Sequence, residues 1–536
     1  MRSSVGAGLV LCVGLLACSK SSDKISLGSH PVSPPAPSCS AAQNGSASVA
    51  VPRLKVELSD SWHEGWLASP AVADLDGDGA PEIVVARAGR LLVFHADGSQ
   101  AWHADVSGRI WASPVVADLL PSRPGLEVAV AARGVVHLYT AGGSEAPGFP
   151  VTWRDELRAL AAGDIDGDGQ LELVAVTTRD LDANGQTDIV VAWKNDGRVV
   201  PGFPPNTTGH SGCDDACYVH AGFDQTLALG DVNGDGIVDV FAPQDNAHMS
   251  LHDGTGRAFD ANPIFRGKTK FLGVRFLLDY TLAQQGYSDH EDVDLQAHFT
   301  NSAPAIADLD GDGNHDLIVL GSVQNTSQDD RERGVVLFAL HNDGTRLRDW
   351  VVPYHAPDFL SGLWDFDGTN VVAATNQVSV ADLFADAAHP GPELVFAGFD
   401  GRIHCVDARG QELWNYQYTT RADVLTAGVA IADLSGDGAP EIVFSSYSTG
   451  ENQSHLFVLD GGGNPRHQIP LPGRGSMAVP TVATVDADPA LEIVVPLKDS
   501  ENGLPLALVY EVAGSSDNCL PWPTGRANLH RNGYVP

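Results

Sequence analysis

The stretch Asp308-Leu-Asp-Gly-Asp-Gly-Asn-His-Asp316 decides the fold of this chain. Carboxylates stand at positions 1, 3, 5 and 9 of the loop, with a glycine at position 6. Apolar runs flank it, Ala303-Pro-Ala-Ile-Ala307 before and Leu317-Ile-Val-Leu320 after. Alternating oxygen-bearing side chains on a short loop suit calcium, a hard cation that takes roughly six to eight oxygen ligands. The glycine permits the sharp turn, and position 7 offers its backbone carbonyl. Asp-Gly is also a common turn dipeptide, so a single copy leaves a polar hairpin equally open.

Recurrence separates the two readings. Close copies are Asp74-Leu-Asp-Gly-Asp-Gly-Ala-Pro-Glu82, Asp164-Ile-Asp-Gly-Asp-Gly-Gln-Leu-Glu172, Asp231-Val-Asn-Gly-Asp-Gly-Ile-Val-Asp239 and Asp433-Leu-Ser-Gly-Asp-Gly-Ala-Pro-Glu441. A plain turn requires neither the oxygen at position 3 nor the acid at position 9, so these read as calcium loops. The candidate side-chain ligands are Asp74, Asp76, Asp78 and Glu82; Asp164, Asp166, Asp168 and Glu172; and Asp231, Asn233, Asp235 and Asp239. To these are added Asp308, Asp310, Asp312 and Asp316, and Asp433, Ser435, Asp437 and Glu441. Ala80, Gln170, Ile237, Asn314 and Ala439 supply the position-7 carbonyls. A further stretch, Asp180-Leu-Asp-Ala-Asn-Gly-Gln-Thr-Asp188, reads as a sixth site or as an ordinary polar hairpin. Its ligands would be Asp180, Asp182, Asn184 and Asp188 with the carbonyl of Gln186. An EF-hand would need a glutamate at position 12, where Val85, Ala175, Ala242, Val319 and Phe444 stand in β-like runs.

Three more units align while losing ligands: Ser113–Ala131, Val378–Ala397 and Val479–Pro496. First-ligand positions are then 74, 118, 164, 231, 308, 382, 433 and 484, eight units at a period of mostly 44–51 residues. Within a unit, Ser69-Pro-Ala-Val-Ala leads into the loop, and Glu82-Ile-Val-Val-Ala86, Leu91-Leu-Val-Phe94 and Ala101-Trp-His103 follow as strands. Turn pairs such as Asp97-Gly98 separate the last two. Four short antiparallel strands per unit with no helical period describe a β-propeller blade. The expectation is an all-β chain of eight four-stranded blades, with seven as the alternative count. Arg53-Leu-Lys-Val-Glu-Leu58 precedes the first unit without a loop of its own and is placed to complete the last blade.

Units of the form Ala-Asp-Leu-Asp-Gly-Asp-Gly-x-x-Glu/Asp-Ile/Leu-Val resemble the FG-GAP/VCBS repeats of integrin-α-type propellers. The resemblance spans roughly residues 53–525. It implies calcium at about five loops, or six with Asp180–Asp188, and it says little about activity, because one fold hosts many functions. Familiar integrin heads have seven blades, and this chain departs from them with eight units.

The ends of the chain carry other signals. Residues 1–18 combine Arg2, an apolar run from Val5 to Leu16 and Leu15-Leu-Ala-Cys18. They resemble a bacterial lipoprotein signal, with Cys18 the lipidated residue and an outer-membrane or cell-surface address. Residues 19–52 are rich in Ser, Ala and Pro and read as a tether, and residues 526–536 as a C-terminal tail. The formal net charge is −36, of which the five full loops supply eighteen carboxylates. Such acidity argues against a nucleic-acid partner, whose phosphates need a basic face. Cys213 and Cys217 are spaced to close a local disulfide, and Cys39 and Cys519 lie near the two ends, but pairing does not follow from sequence.

No nucleophile elbow, zinc helix or phosphate loop stands in a supporting context. Trp102, Trp350 and Trp414 recur near the last strand of a blade and read as packing residues. The leading expectation is a non-catalytic, calcium-stabilised, lipid-anchored surface propeller that binds a protein or glycan. A propeller polysaccharide lyase or hydrolase of the rhamnogalacturonan-lyase kind is the alternative, and a quinoprotein-like dehydrogenase a weaker one. Three intervals exceed the period, and the middle insertion, Lys268 to Thr300, carries Phe271, Val274, Phe276, Leu277 and Tyr280. That apolar patch reads either as a partner-binding element or as packing that plugs the propeller channel.

Overall fold

The computed structural model describes residues 39–60, 64–185, 187–205, 222, 226–286, 295–300, 302–325, 332–363, 376–384, 388–501 and 503–536. Eight sheets stand around one axis, each an antiparallel blade. Their innermost strands are Ala71–Ala73, Val115–Ala117, Asp155–Gly163, Ala228–Gly230, Ala305–Ala307, Ser379–Ala381, Ala430–Ala432 and Thr481–Ala483. Each touches the next, and the eighth touches the first, so the ring closes at eight blades. Alanine and glycine dominate these strands because eight of them converge, and small side chains fit the taper.

Second strands such as Glu82–Arg87, Glu127–Ala132 and Glu441–Ser445 are buried along their whole length. They lie between neighbouring blades on both faces, which is why they read as continuous Val, Ile and Ala runs. Outer strands such as Gln100–Asp105 and Glu412–Gln417 alternate exposed and half-buried positions. In the third and fourth blades three strands are described, and bridges from Trp193 to Val199 and His252 to Ala258 mark the outer hairpins.

Two devices lock the ring. Arg53–Leu58 pairs antiparallel with Ala507–Val512 as the outer strand of the eighth blade, which joins the two ends of the chain in one sheet. Indole clasps tie successive blades: Trp102, Trp350 and Trp414 donate to the carbonyls of Ala141, Ala408 and Gly461 at 2.7, 2.8 and 2.9 Å. Each ring lies on the next blade's last turn, and a Cβ on Gly463 would stand 2.5 Å from Trp414. These tryptophans are packing residues, as their positions suggested.

The axis is filled by the chain's own C-terminus. Trp522 exchanges two backbone hydrogen bonds with Ile431, and the carbonyls of Pro523, Leu529, His530, Asn532 and Gly533 accept from Val482, Val116, Ala162, Leu229 and Ile306. The residues read as a tail therefore cross the inner strands of the propeller. Trp522, Arg526 and Arg531 are buried there. Arg531 donates to the carbonyls of Pro70 (2.7 Å), Pro114 (2.9 Å) and Gly525 (2.9 Å), and Arg526 to that of Leu227. Burial pushes both guanidinium pKa values down to about 9. A disulfide joins Cys39 to Cys519 and fastens the start of the folded part to this plug.

The described residues of the long middle insertion pack beside the fourth and fifth blades. Phe271, Val274, Phe276 and Leu277 are buried, and the first three pack with Phe241 and Met249 of the fourth blade and Phe338 of the fifth. The packing reading holds for the patch, and the segment that fills the axis is another one. Cys18, Cys213 and Cys217 lie outside the described residues. No helix among the described residues is long and apolar enough to cross a membrane.

Candidate metal loops

All the loops between first and second strands emerge on one face of the ring. In the five full loops the first aspartate turns its carboxylate onto backbone N–H groups. Asp74 accepts from Gly77 and Gly79, both at 2.8 Å, and Asp308 from Gly311 at 2.8 Å and Gly313 at 3.0 Å. Asp231 and Asp433 do the same. The acid at position 9 caps the loop from the other side. One oxygen of Glu82, Glu172, Asp239, Asp316 and Glu441 accepts the N–H of Leu75, Ile165, Val232, Leu309 and Leu434 at 2.7–3.1 Å.

The three degenerate units keep this cap. Glu127, Glu393 and Glu492 accept from Leu119, Leu383 and Val485 at 2.8–3.0 Å. The acid at the start of the second strand thus serves the backbone in all eight blades, with or without the alternating acids. It is weaker as a sign of metal than its absence from ordinary turns suggests.

The remaining oxygens converge. Three carboxylates lie within 4.8 Å of one another in Asp74, Asp76 and Asp78; in Asp164, Asp166 and Glu172; and in Asp308, Asp310 and Asp316. A fourth such group, Asp486, Asp488 and Glu492, belongs to the last blade. Sequence reading passed over that group because Thr484 stands at position 1; acids at positions 3, 5 and 9 were the available signal. In the fourth and seventh blades Asn233 and Ser435 put a neutral oxygen at position 3.

Burial raises the position-9 acids against the pull of the capping N–H, with neighbouring carboxylates adding to it. Asp316 is pushed up to about 6, Glu172 and Asp239 to about 7, and Glu441 to about 8. Carboxylates in this state favour a cation beside them. Two loops show that the cradle accepts one. Lys194 reaches Asp166, Asp168 (2.8 Å) and Glu172 (3.4 Å). Lys55, on the closing strand, lies 2.7 Å from Asp486, 3.0 Å from Asp488 and 2.7 Å from Glu492. Burial works against each ammonium, and the hydrogen bonds to these acids outweigh it, so both lysine pKa values rise. An all-oxygen donor set that takes an ammonium also fits a hard divalent ion.

The sixth candidate is arranged differently. Asp180 accepts from Ala183 and Gly185, both at 2.7 Å, as in the full loops. Asp188 instead turns to Arg154 (2.8 Å) and the Trp153 indole (2.9 Å), so its carboxylate has another partner. Gln186 lies outside the described residues. The seventh blade's loop is covered: Ala42 and Ser46 donate to the carbonyls of Gly436 and Ser435, and Asn518 to Asp433 at 2.7 Å.

No family model and no curated protein matches the chain. Among solved structures it is similar to the biofilm matrix protein Bap1 of V. cholerae at 14% identity and a TM-score of 0.40, over 91% of this chain and 96% of that one. The exotype rhamnogalacturonan lyase YesX follows at 12% identity and 0.46, over 90% and 80%. Quinohemoprotein alcohol dehydrogenase from Comamonas testosteroni stands at 13% identity and 0.47, over 89% and 78%. At such identities the likeness concerns the fold alone.

Proposed function

We propose that the chain is a cation-stabilised binding propeller of the cell exterior, with calcium in its acidic loops and a protein or glycan as partner. The observation that carries this reading is the set of converging carboxylates, two of which already hold a lysine ammonium. Repeats of the FG-GAP/VCBS kind, suggested by the loop pattern, belong to the same reading. Among the described residues the axis is occupied by the chain's own C-terminal segment, so a partner would meet the faces or the rim of the ring. Chelation tests the cation. It is expected to lower the melting temperature, and Asp310→Ala to reproduce part of the loss; a melting curve indifferent to chelator sinks the assignment. Incubation of the calcium-loaded chain with polysaccharides is expected to release no new sugar ends, and their release would return the lyase reading. Lipid on Cys18 would hold the protein to a membrane. A Cys18→Ser chain is then expected in the soluble fraction, and its retention in salt-washed membranes would count against the anchor.

A further inference from the structure

The face opposite the metal loops carries the turns between second and third strands and the crossings from blade to blade. Cations and indoles alternate there. The Arg109 guanidinium lies 4.1 Å from the Trp66 ring centroid and 4.6 Å from that of Trp111, and Arg158 lies 3.9 Å from Trp111. Lys498 Nζ is 3.2 Å from the Trp66 ring, and the two indoles meet edge to face at 5.1 Å. The row runs Lys498, Trp66, Arg109, Trp111, Arg158 and joins residues from the eighth blade to the third.

The row is held rigidly. Gly65 N–H donates to the Lys498 carbonyl at 2.8 Å, and buried Arg87 donates to the Leu497 carbonyl at 2.6 Å. A Cβ on Gly65 would stand 2.4 Å from that same carbonyl oxygen, so only glycine lets Trp66 take its place. Lys498 is 2% exposed; its ammonium makes no hydrogen bond among the described residues and stands 3.5 Å from Glu64. Burial pushes its pKa down to about 8. Acids stand at the flanks: Glu64 and Asp499 pair with Arg474, both at 2.6 Å, and Glu156 lies 3.8 Å from Arg158. Ala112 and Ala159, next in chain to Trp111 and Arg158, line a small pocket with Arg526 and Arg531 of the plug.

On a chain of net charge −36 a cluster of this sign is out of keeping with the rest of the surface. Guanidinium groups stacked on indoles keep their N–H edges in fixed directions and pair carboxylates two bonds at a time. The flanking acids decide what kind of anion fits. They repel a densely charged peptide or polyphosphate, yet they accept hydrogen bonds from hydroxyl groups. A ligand that alternates sparse carboxylates with many hydroxyls satisfies both sets.

We propose that the row of Trp66, Arg109, Trp111 and Arg158, backed by buried Lys498, binds an acidic saccharide, a chain of uronic-acid residues. This deepens the reading of the molecule as a binding propeller and rests on it. The test titrates the calcium-loaded full chain with a trimer of galacturonic acid, its methyl ester and a glutamate oligomer, followed by calorimetry and tryptophan emission. The acid trimer is expected to bind, more weakly as salt rises. Esterification or Arg109→Gln is expected to weaken it by about tenfold or more, with an unchanged melting temperature, since Arg109 is exposed. Arg158→Gln is expected to act in the same direction. Absence of trimer binding, equal binding by both variants, or a glutamate oligomer that binds as tightly would overturn the proposal. Any of these leaves the chelation result untouched, so the two readings fail separately.

Discussion

At the residue scale, the acid at the start of a second strand can do two jobs. One oxygen caps the loop backbone in every blade, and Glu172, Asp316 and Glu492 also join the converging carboxylates of their loops. Glu393 isolates the first job, because its blade lacks the alternating acids. It is fully buried, and burial, opposed by the Leu383 N–H and helped by Asp382 and Asp407, pushes its carboxyl up to about 8. A carboxyl raised on folding costs stability as pH climbs from its unfolded value near 4.5 to its folded one. Gln keeps an oxygen for the Leu383 N–H and cannot ionise. Glu393→Gln is therefore expected to match the parent near pH 4 and to be more stable at pH 8, by a few kcal/mol at most. Equal denaturant midpoints at both pH values would refute it. This cap was invisible in sequence because the acid's partner is a backbone N–H seven to ten residues away, a group every residue carries.

At the scale of elements, strand order was legible and the terminal segments were not. Arg53–Leu58 lies where its pattern suggested, because an unpaired edge in a closed ring leaves one place for a spare strand. Residues 519–535 carry no repeat signal, and their partners are the N–H groups and carbonyls of inner strands in six blades. Their role follows only once the ring exists. Trp522 alone, fully buried, would cost about 3–5 kcal/mol as alanine. Deleting 519–536 is expected to abolish the single cooperative melting transition rather than to open a channel in a folded ring. A truncated chain that melts like the parent would show the segment to be a passenger.

At the scale of the molecule, stability is shared between packing and charge. Loops of the extracellular kind bind calcium at roughly 10⁻⁴–10⁻³ M, and each site at a hundredfold excess adds about 2.7 kcal/mol. A few such sites on a chain this long correspond to a melting shift on the order of 10 °C between loaded and chelated protein. That is the size to look for in the chelation experiment. Lys55 and Lys194 reduce it, since each places an ammonium where an ion would otherwise sit.

By itself the sequence determined the blade and the acidic loops and favoured eight units over seven, because those are local: a strand period of two, a turn glycine and an acid spacing lie within one short stretch. Tertiary structure alone decided what the loops hold from outside and what stands on the opposite face. Lys55 and Glu492 are 437 residues apart, and Lys498 and Trp66 lie on blades that meet only at ring closure. No local pattern encodes such pairs; they exist because eight similar units close on themselves and bring the two ends of the chain together.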